Sequence, residues 1–180
     1  MLVVGVVVVL VVLLAVYAMI TFNKLVKQRN QVADAWSGID VQLTRRADLV
    51  PNLVETVKAY KLHEQETLER VIAARNNARG AAQTGDAEER VSQAVGSLLA
   101  VAEAYPDLKA NTNFQQLQTE LATLEEDISF ARRYYNGTVR NYNTAQQQFP
   151  TLIFAKPLGF REAEYFQADL DAKAAPSAQF

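Results

Sequence analysis

The chain has 180 residues, a net charge of −2, no cysteine and one histidine, His63. That length has room for one membrane segment and one helical bundle of ordinary size, and the charge leaves no basic footprint for nucleic acid. The missing cysteines exclude disulfides, a thiolate nucleophile and a sulfur-ligated metal, and a lone histidine excludes any site that needs two. Seven glycines and five prolines, placed where helices should break, indicate an all-α protein.

Leu2 to Ile20 contains nothing charged. At 1.5 Å per residue the stretch covers about 28 Å, close to the hydrocarbon thickness of a bilayer. A cleaved signal peptide is the rival reading. It fits less well, because the basic n-region and a good small-residue cleavage site are absent and the apolar run is too long. Lys24, Lys27 and Arg29 follow the span, which by the positive-inside rule puts the N-terminus outside and the body in the cytoplasm. With no glycine or proline between the apolar span and Gly38, the anchor helix should run on without a linker. The apolar seam then passes through Phe22, Leu25, Arg29, Val32, Trp36, Ile39, Leu43 and Arg46, the three- and four-residue spacing of a helix packed on others.

On or beside that seam lie Asp40, Arg45, Arg46, Asp48 and Asn52, a dense polar set for a plain structural helix. Pro51 lacks an N–H and disfavours α geometry at Val50. It marks either a kink in one helix, which the in-phase seam at Val50 and Leu53 favours, or a turn, with Asp48 capping a new helix. A second helix to about Ala78 points Leu53, Val57, Tyr60, Leu68 and Val71 inward. A loop at Gly80 to Asp86 separates it from a short third helix with Val91, Val95, Leu98, Leu99 and Ala102 on its apolar face. Tyr105-Pro106 breaks that helix. The last helix is the most regular: Phe114, Leu117, Leu121, Leu124, Ile128, Ala131, Tyr135, Thr138, Tyr142, Ala145 and Phe149 alternate three and four. It should end near Gln148, ahead of Pro150.

Several stretches together carry a resemblance: R-N-x-V-x-x-A-W-S-x-I-D-V-Q-L from Arg29, R-R-A-D-L-V-P-N-L-V from Arg45, V-K-A-Y from Val57, E-A-Y-P-D-L-K-A-N-x-N-F from Glu103 and A-R-R-Y-Y-N-x-x-V-R-N-Y-N from Ala131. The chain resembles the LemA family, bacterial proteins with an N-terminal anchor and a helical bundle, whose biochemical role is poorly defined. The resemblance implies an antiparallel up-and-down four-helix bundle of bromodomain-like, LemA-like form, and so tips the expectation at Pro51 toward the turn. Residues 1–21 would be the anchor, 22–149 the bundle and 150–180 an irregular, aromatic-containing tail. The setting would be the inner membrane of a bacterial cell.

Candidate chemistry is sparse. His63-Glu64 lacks the second histidine of a zincin, since Thr67 stands one turn on, and Tyr60 occupies the place a di-iron glutamate would need. No metal, cofactor or catalytic residue is expected, and Ser37 and Ser129 have no recognisable base. Asp40, Arg45, Arg46 and Asp48 could bind an anionic ligand or lipid head group. The plainer expectation is an interhelical salt-bridge network with Arg132 and Arg133. Tyr134, Tyr135, Asn136, Tyr142 and Asn143 could form a stacking platform, but on a seam they read more simply as core, with hydroxyls bonded to neighbours, and so does Trp36. With four passes the tail from Phe149 to Phe154 would land beside the bilayer; with three it would cover the far end of the bundle. The long last helix should outrun the third and leave apolar seam for another protein. The expected function is a non-enzymatic structural or adaptor module, partnered by the lipid bilayer and by itself or other membrane proteins. An accessory sensor for an anionic or lipid ligand at Asp40–Asp48 is the alternative.

Overall fold

The computed structural model describes residues 1–60, 65–80 and 85–166. Their regular structure is helical: α1 (Leu2–Lys58), α2 (Gln65–Gly80), α3 (Gly85–Ala102), the short α4 (Pro106–Lys109), α5 (Thr112–Gln147) and α6 (Thr151–Ala155). His63 and the Gln83-Thr84 loop lie outside the described residues, as does the chain after Phe166.

The turn expected at Pro51 is not there. α1 continues through the proline to Lys58, and the second helix begins at Gln65 rather than at Pro51. A proline inside a helix leaves the carbonyl four residues earlier without its N–H partner. Here that carbonyl is Ala47 O, and the Arg75 guanidinium of α2 donates to it from Nε at 2.8 Å. The vacant acceptor is satisfied from a neighbouring helix, so the proline needs no break in α1.

The chain divides into two compact units. One comprises Ile39–Arg132 joined by Phe166. Its core takes Val50, Leu53, Val54 and Val57 from α1, Leu68, Val71 and Ala78 from α2, Val91, Val95, Leu98 and Ala102 from α3, and Phe114 and Leu121 from α5. Leu108 of α4 closes the same cluster. Asn111 caps α5, its Oδ1 accepting from Phe114 N at 3.0 Å, while its Nδ2 donates to the Tyr60 hydroxyl at 2.7 Å. One side chain thus starts α5 and fixes it to the end of α1.

The other unit comprises Met1–Gly38 and Arg133–Tyr165. Residues from Met1 to Tyr17 are exposed, and α1 is the helix long and apolar enough to cross a membrane among the described residues. Below that stretch Leu25 packs with Tyr142, Ala145, Ala155 and Phe160. The segment after α5 folds back through a left-handed Gly159 at φ 83°. Phe160 N donates to Ala155 O and Gly159 N to Lys156 O, a Schellman pattern in which a side chain at Gly159 would strain the backbone. This return changes one expectation. The distal seam of α5, with Tyr135, Val139, Tyr142 and Ala145, is buried and not left open for a partner, because α1 and the chain around Phe160 occupy it.

Candidate functional site

Two polar clusters use residues marked out by the sequence, one in each unit. The first is a clamp on the C-terminal segment. Tyr135 is buried on α5, with the Trp36 ring edge-on at 5.4 Å, and its hydroxyl donates to Glu164 O at 2.9 Å. Two turns on, the Asn143 amide makes a paired contact with Ala163: Nδ2 donates to the carbonyl and Oδ1 accepts from the N–H, both at 2.9 Å. Gln147 Nε2 donates to Glu162 Oε1 at 2.8 Å. These side chains supply bonds that residues 161–166, which form no helix or strand, cannot make among themselves. Burial raises the Tyr135 phenol above its ordinary value and does the same to Tyr142, where Arg29 pulls back in part. Phenols held neutral in this way act as donors and packing groups. The stacking platform is therefore a tail clamp, with Tyr142 in the core and Tyr134 exposed.

The second cluster is an ion network inside the helical core. Arg46 is 1% exposed and projects from α1 to reach α3 and α5. Its Nη1 donates to Ser92 Oγ at 2.7 Å and to Glu125 Oε1 at 2.9 Å; its Nη2 donates to the Glu88 carbonyl at 3.2 Å and pairs with the Glu88 carboxylate. Ser92 Oγ in turn donates to Glu125 Oε2 at 3.1 Å. Burial pushes the Glu88 carboxyl above its ordinary value, and the attraction of Arg46 offsets this only in part. Arg132 lies near enough for its own pKa to be lowered, first by burial and then by Arg46, against the pull of Glu125, Glu89 and Glu88. Its guanidinium sits over the Phe166 ring at 4.9 Å, a cation–π contact.

The other marked residues fall elsewhere. Arg45 is exposed, donating to Gln42 Oε1 at 3.2 Å, and with Asp48 it lines a cleft of about 510 Å³ shared with Glu120 and Asp127. Three carboxylates against one guanidinium weigh against an anionic occupant there. Asp40 and Asn136 are half-buried, while Asn52 and Arg133 are exposed. Of the expected network with Arg132 and Arg133, Arg46 and Arg132 do converge, but the acids between them are Glu88 and Glu125. Sequence reasoning passed over both, along with Ser92 and Arg75. Glu88 carries a legible signal, since it precedes Val91 and Val95 by three and seven residues on the apolar face of α3. A carboxylate on a seam asks for a buried cation, and Arg46 is one of the two seam cations of α1, the other being Arg29. Arg75 has no such signal. Among the described residues no three acidic or histidine side chains gather as metal ligands would.

Comparison with known proteins adds to this geometry. The sequence profile of the LemA family matches residues 35–180, which takes in the clamp and the ion network. Protein LemA of Metamycoplasma hominis is 28% identical over 150 residues, 81% of this chain and 68% of that protein. Magnetosome protein MamQ 1 of Paramagnetospirillum magneticum is 35% identical over 74 residues, and Magnetosome protein MamQ of Magnetospirillum gryphiswaldense 32% identical over 73. Each of those two matches covers 41% of this chain but only 27% of the magnetosome protein.

Proposed function

We propose that this chain, which belongs to the LemA family, works by binding and not by catalysis. It is a single-pass protein of the bacterial inner membrane, N-terminus outside, whose cytoplasmic part is an antiparallel up-and-down four-helix bundle. That bundle is a structural or adaptor module that self-assembles at the membrane. Lys24, Lys27 and Arg29 support the orientation, and the core drawn from α1, α2, α3 and α5 supports the bundle.

The observation that carries the reading is how Arg46 is used. Its guanidinium is taken up by Ser92, Glu88 and Glu125 on two other helices, while the neighbouring Arg132, whose buried Nε and Nη2 make no hydrogen bond among the described residues, is covered by the Phe166 ring. A catalytic cation would keep a donor directed at a substrate; Arg46 joins three helices, the use best attested for buried polar groups in bundles. The likeness to proteins named for the magnetosome, over a quarter of their length, is compatible with a role in membrane organisation.

Cross-linking in native membranes tests the reading. A photo-reactive residue replacing Val41, which is 57% exposed, should yield discrete adducts, with a self-adduct among them. A chain that inserts, is abundant and gives no adduct from Val41 or from the equally exposed Tyr134 counts against an assembling module.

A further inference from the structure

Beyond self-assembly, we propose that the turn around α6 is a second membrane contact: Phe149, Leu152 and Ile153 enter the head-group and upper acyl region beside the anchor helix. The inference rests on the anchor spanning the bilayer and concerns a different part of the chain.

Position carries the argument. The Phe154 ring lies 6.4 Å from Tyr17, whose hydroxyl is close to the side chains of Thr151 and Thr21. The Phe160 ring meets Phe22 edge-on at 5.5 Å. α6 is therefore held against residues 17–22 of α1, where the apolar run ends and Lys24 and Lys27 begin. In a spanning helix that level is the interface, the zone that tyrosine and flanking lysine occupy.

What α6 presents there is apolar. Phe149 is 82% exposed, Ile153 57%, Leu152 49% and Leu158 44%. In water these large side chains would make a costly patch on a segment otherwise folded to bury Ala155 and Phe160. Beside a bilayer they sit as the apolar face of an interfacial segment does, and exposed Lys156 lies within reach of lipid phosphates. The segment is also held in place. Asn143 grips Ala163 and Gln147 grips Glu162, and Gly159 turns the chain back. The patch adjoins an apolar surface that already needs lipid, so the occupant inferred is the bilayer rather than a second copy.

The chain has no cysteine, so one introduced thiol can be labelled cleanly. Full-length protein in nanodiscs would carry an environment-sensitive fluorophore at Ile153→Cys, with Val11→Cys as the anchor reference and Phe130→Cys as the water-facing one. The label at 153 should be quenched several-fold more by lipids spin-labelled near the head group than the label at 130, and largely spared by aqueous iodide. Iodide quenching at 153 equal to that at 130 overturns the proposal. Shielding from both quenchers also overturns it, because protein and not lipid would then cover the patch. If the label at Val11 escapes deep-lipid quenching, the anchor itself fails; quenching at Val11 without quenching at 153 refutes the α6 contact alone.

Discussion

Replacing Arg75 by methionine isolates the interaction that lets α1 pass through Pro51. The substitution keeps much of the apolar stem but removes the Nε donor to Ala47 O. No backbone N–H can replace it, because residue 51 is a proline. A hydrogen bond from a charged donor contributes about 1.5–3 kcal/mol, and a part-buried acceptor left alone costs about as much. Since Arg75 is half-exposed, the lower end applies, about 1.5 kcal/mol, or a fall in Tm of roughly 3–6 °C for a chain of this size. The partner substitution is Pro51→Ala. Alanine restores the N–H and removes an interior-proline penalty of up to about 3 kcal/mol, so P51A alone should stabilise. In that background Ala47 O has its helical partner, and R75M should cost only about 0.5 kcal/mol. Calorimetry on the four full-length proteins in nanodiscs closes the cycle. A coupling near 1 kcal/mol is expected; additivity within about 0.3–0.5 kcal/mol would show that Arg75 does not stand in for the missing N–H.

Three further outcomes follow from the two clusters. Arg46→Met leaves Glu88 buried without its counter-charge and should cost about 3–5 kcal/mol, while R46M with Glu88→Leu should recover most of that in denaturant titrations. Because the Glu88 carboxyl is raised in the fold from the ordinary 4.5, folding takes up a proton there. Its contribution is full below that ordinary value and is lost as pH rises through the raised one. The stability of the parent relative to E88Q should therefore decline from acid toward neutral pH in parallel melts; an increase would mean that Arg46, with Arg132, outweighs burial and Glu125. Asn143→Ala removes both bonds to Ala163 and should cost about 1–2 kcal/mol. Amide exchange in peptides spanning residues 160–166 should speed up first, ahead of exchange in α3.

Much of this architecture was legible because helical seams are local. The α5 seam places Phe114, Leu121, Leu124, Ile128, Tyr135, Tyr142 and Ala145 correctly, and all are buried. On α1, Leu25, Ile39, Leu43 and Arg46 follow the same rule. α5 stops at Gln147, one residue before the expected end. Pro51 was misread because its effect depends on a donor from another helix, 24 positions on in sequence, which no local pattern encodes. The seam, which stayed in phase across the proline, was the better guide than the implied fold. The clamp was half legible: the spacing of Tyr135, Tyr142 and Asn143 marks one helix face, but nothing local says that Ala163 and Glu164 return to it. The same return explains why the distal α5 seam is covered. Arg29 and Phe22 sit on the seam yet are exposed, since what they meet there is the Phe160 ring and not another helix.

The most direct test of the central claim is the native mass of the full-length protein in nanodiscs beside the soluble fragment that begins at Asn23. An assembling membrane module predicts a defined multimer for the full chain and a smaller species for the fragment. Both proteins remaining monomeric would contradict it.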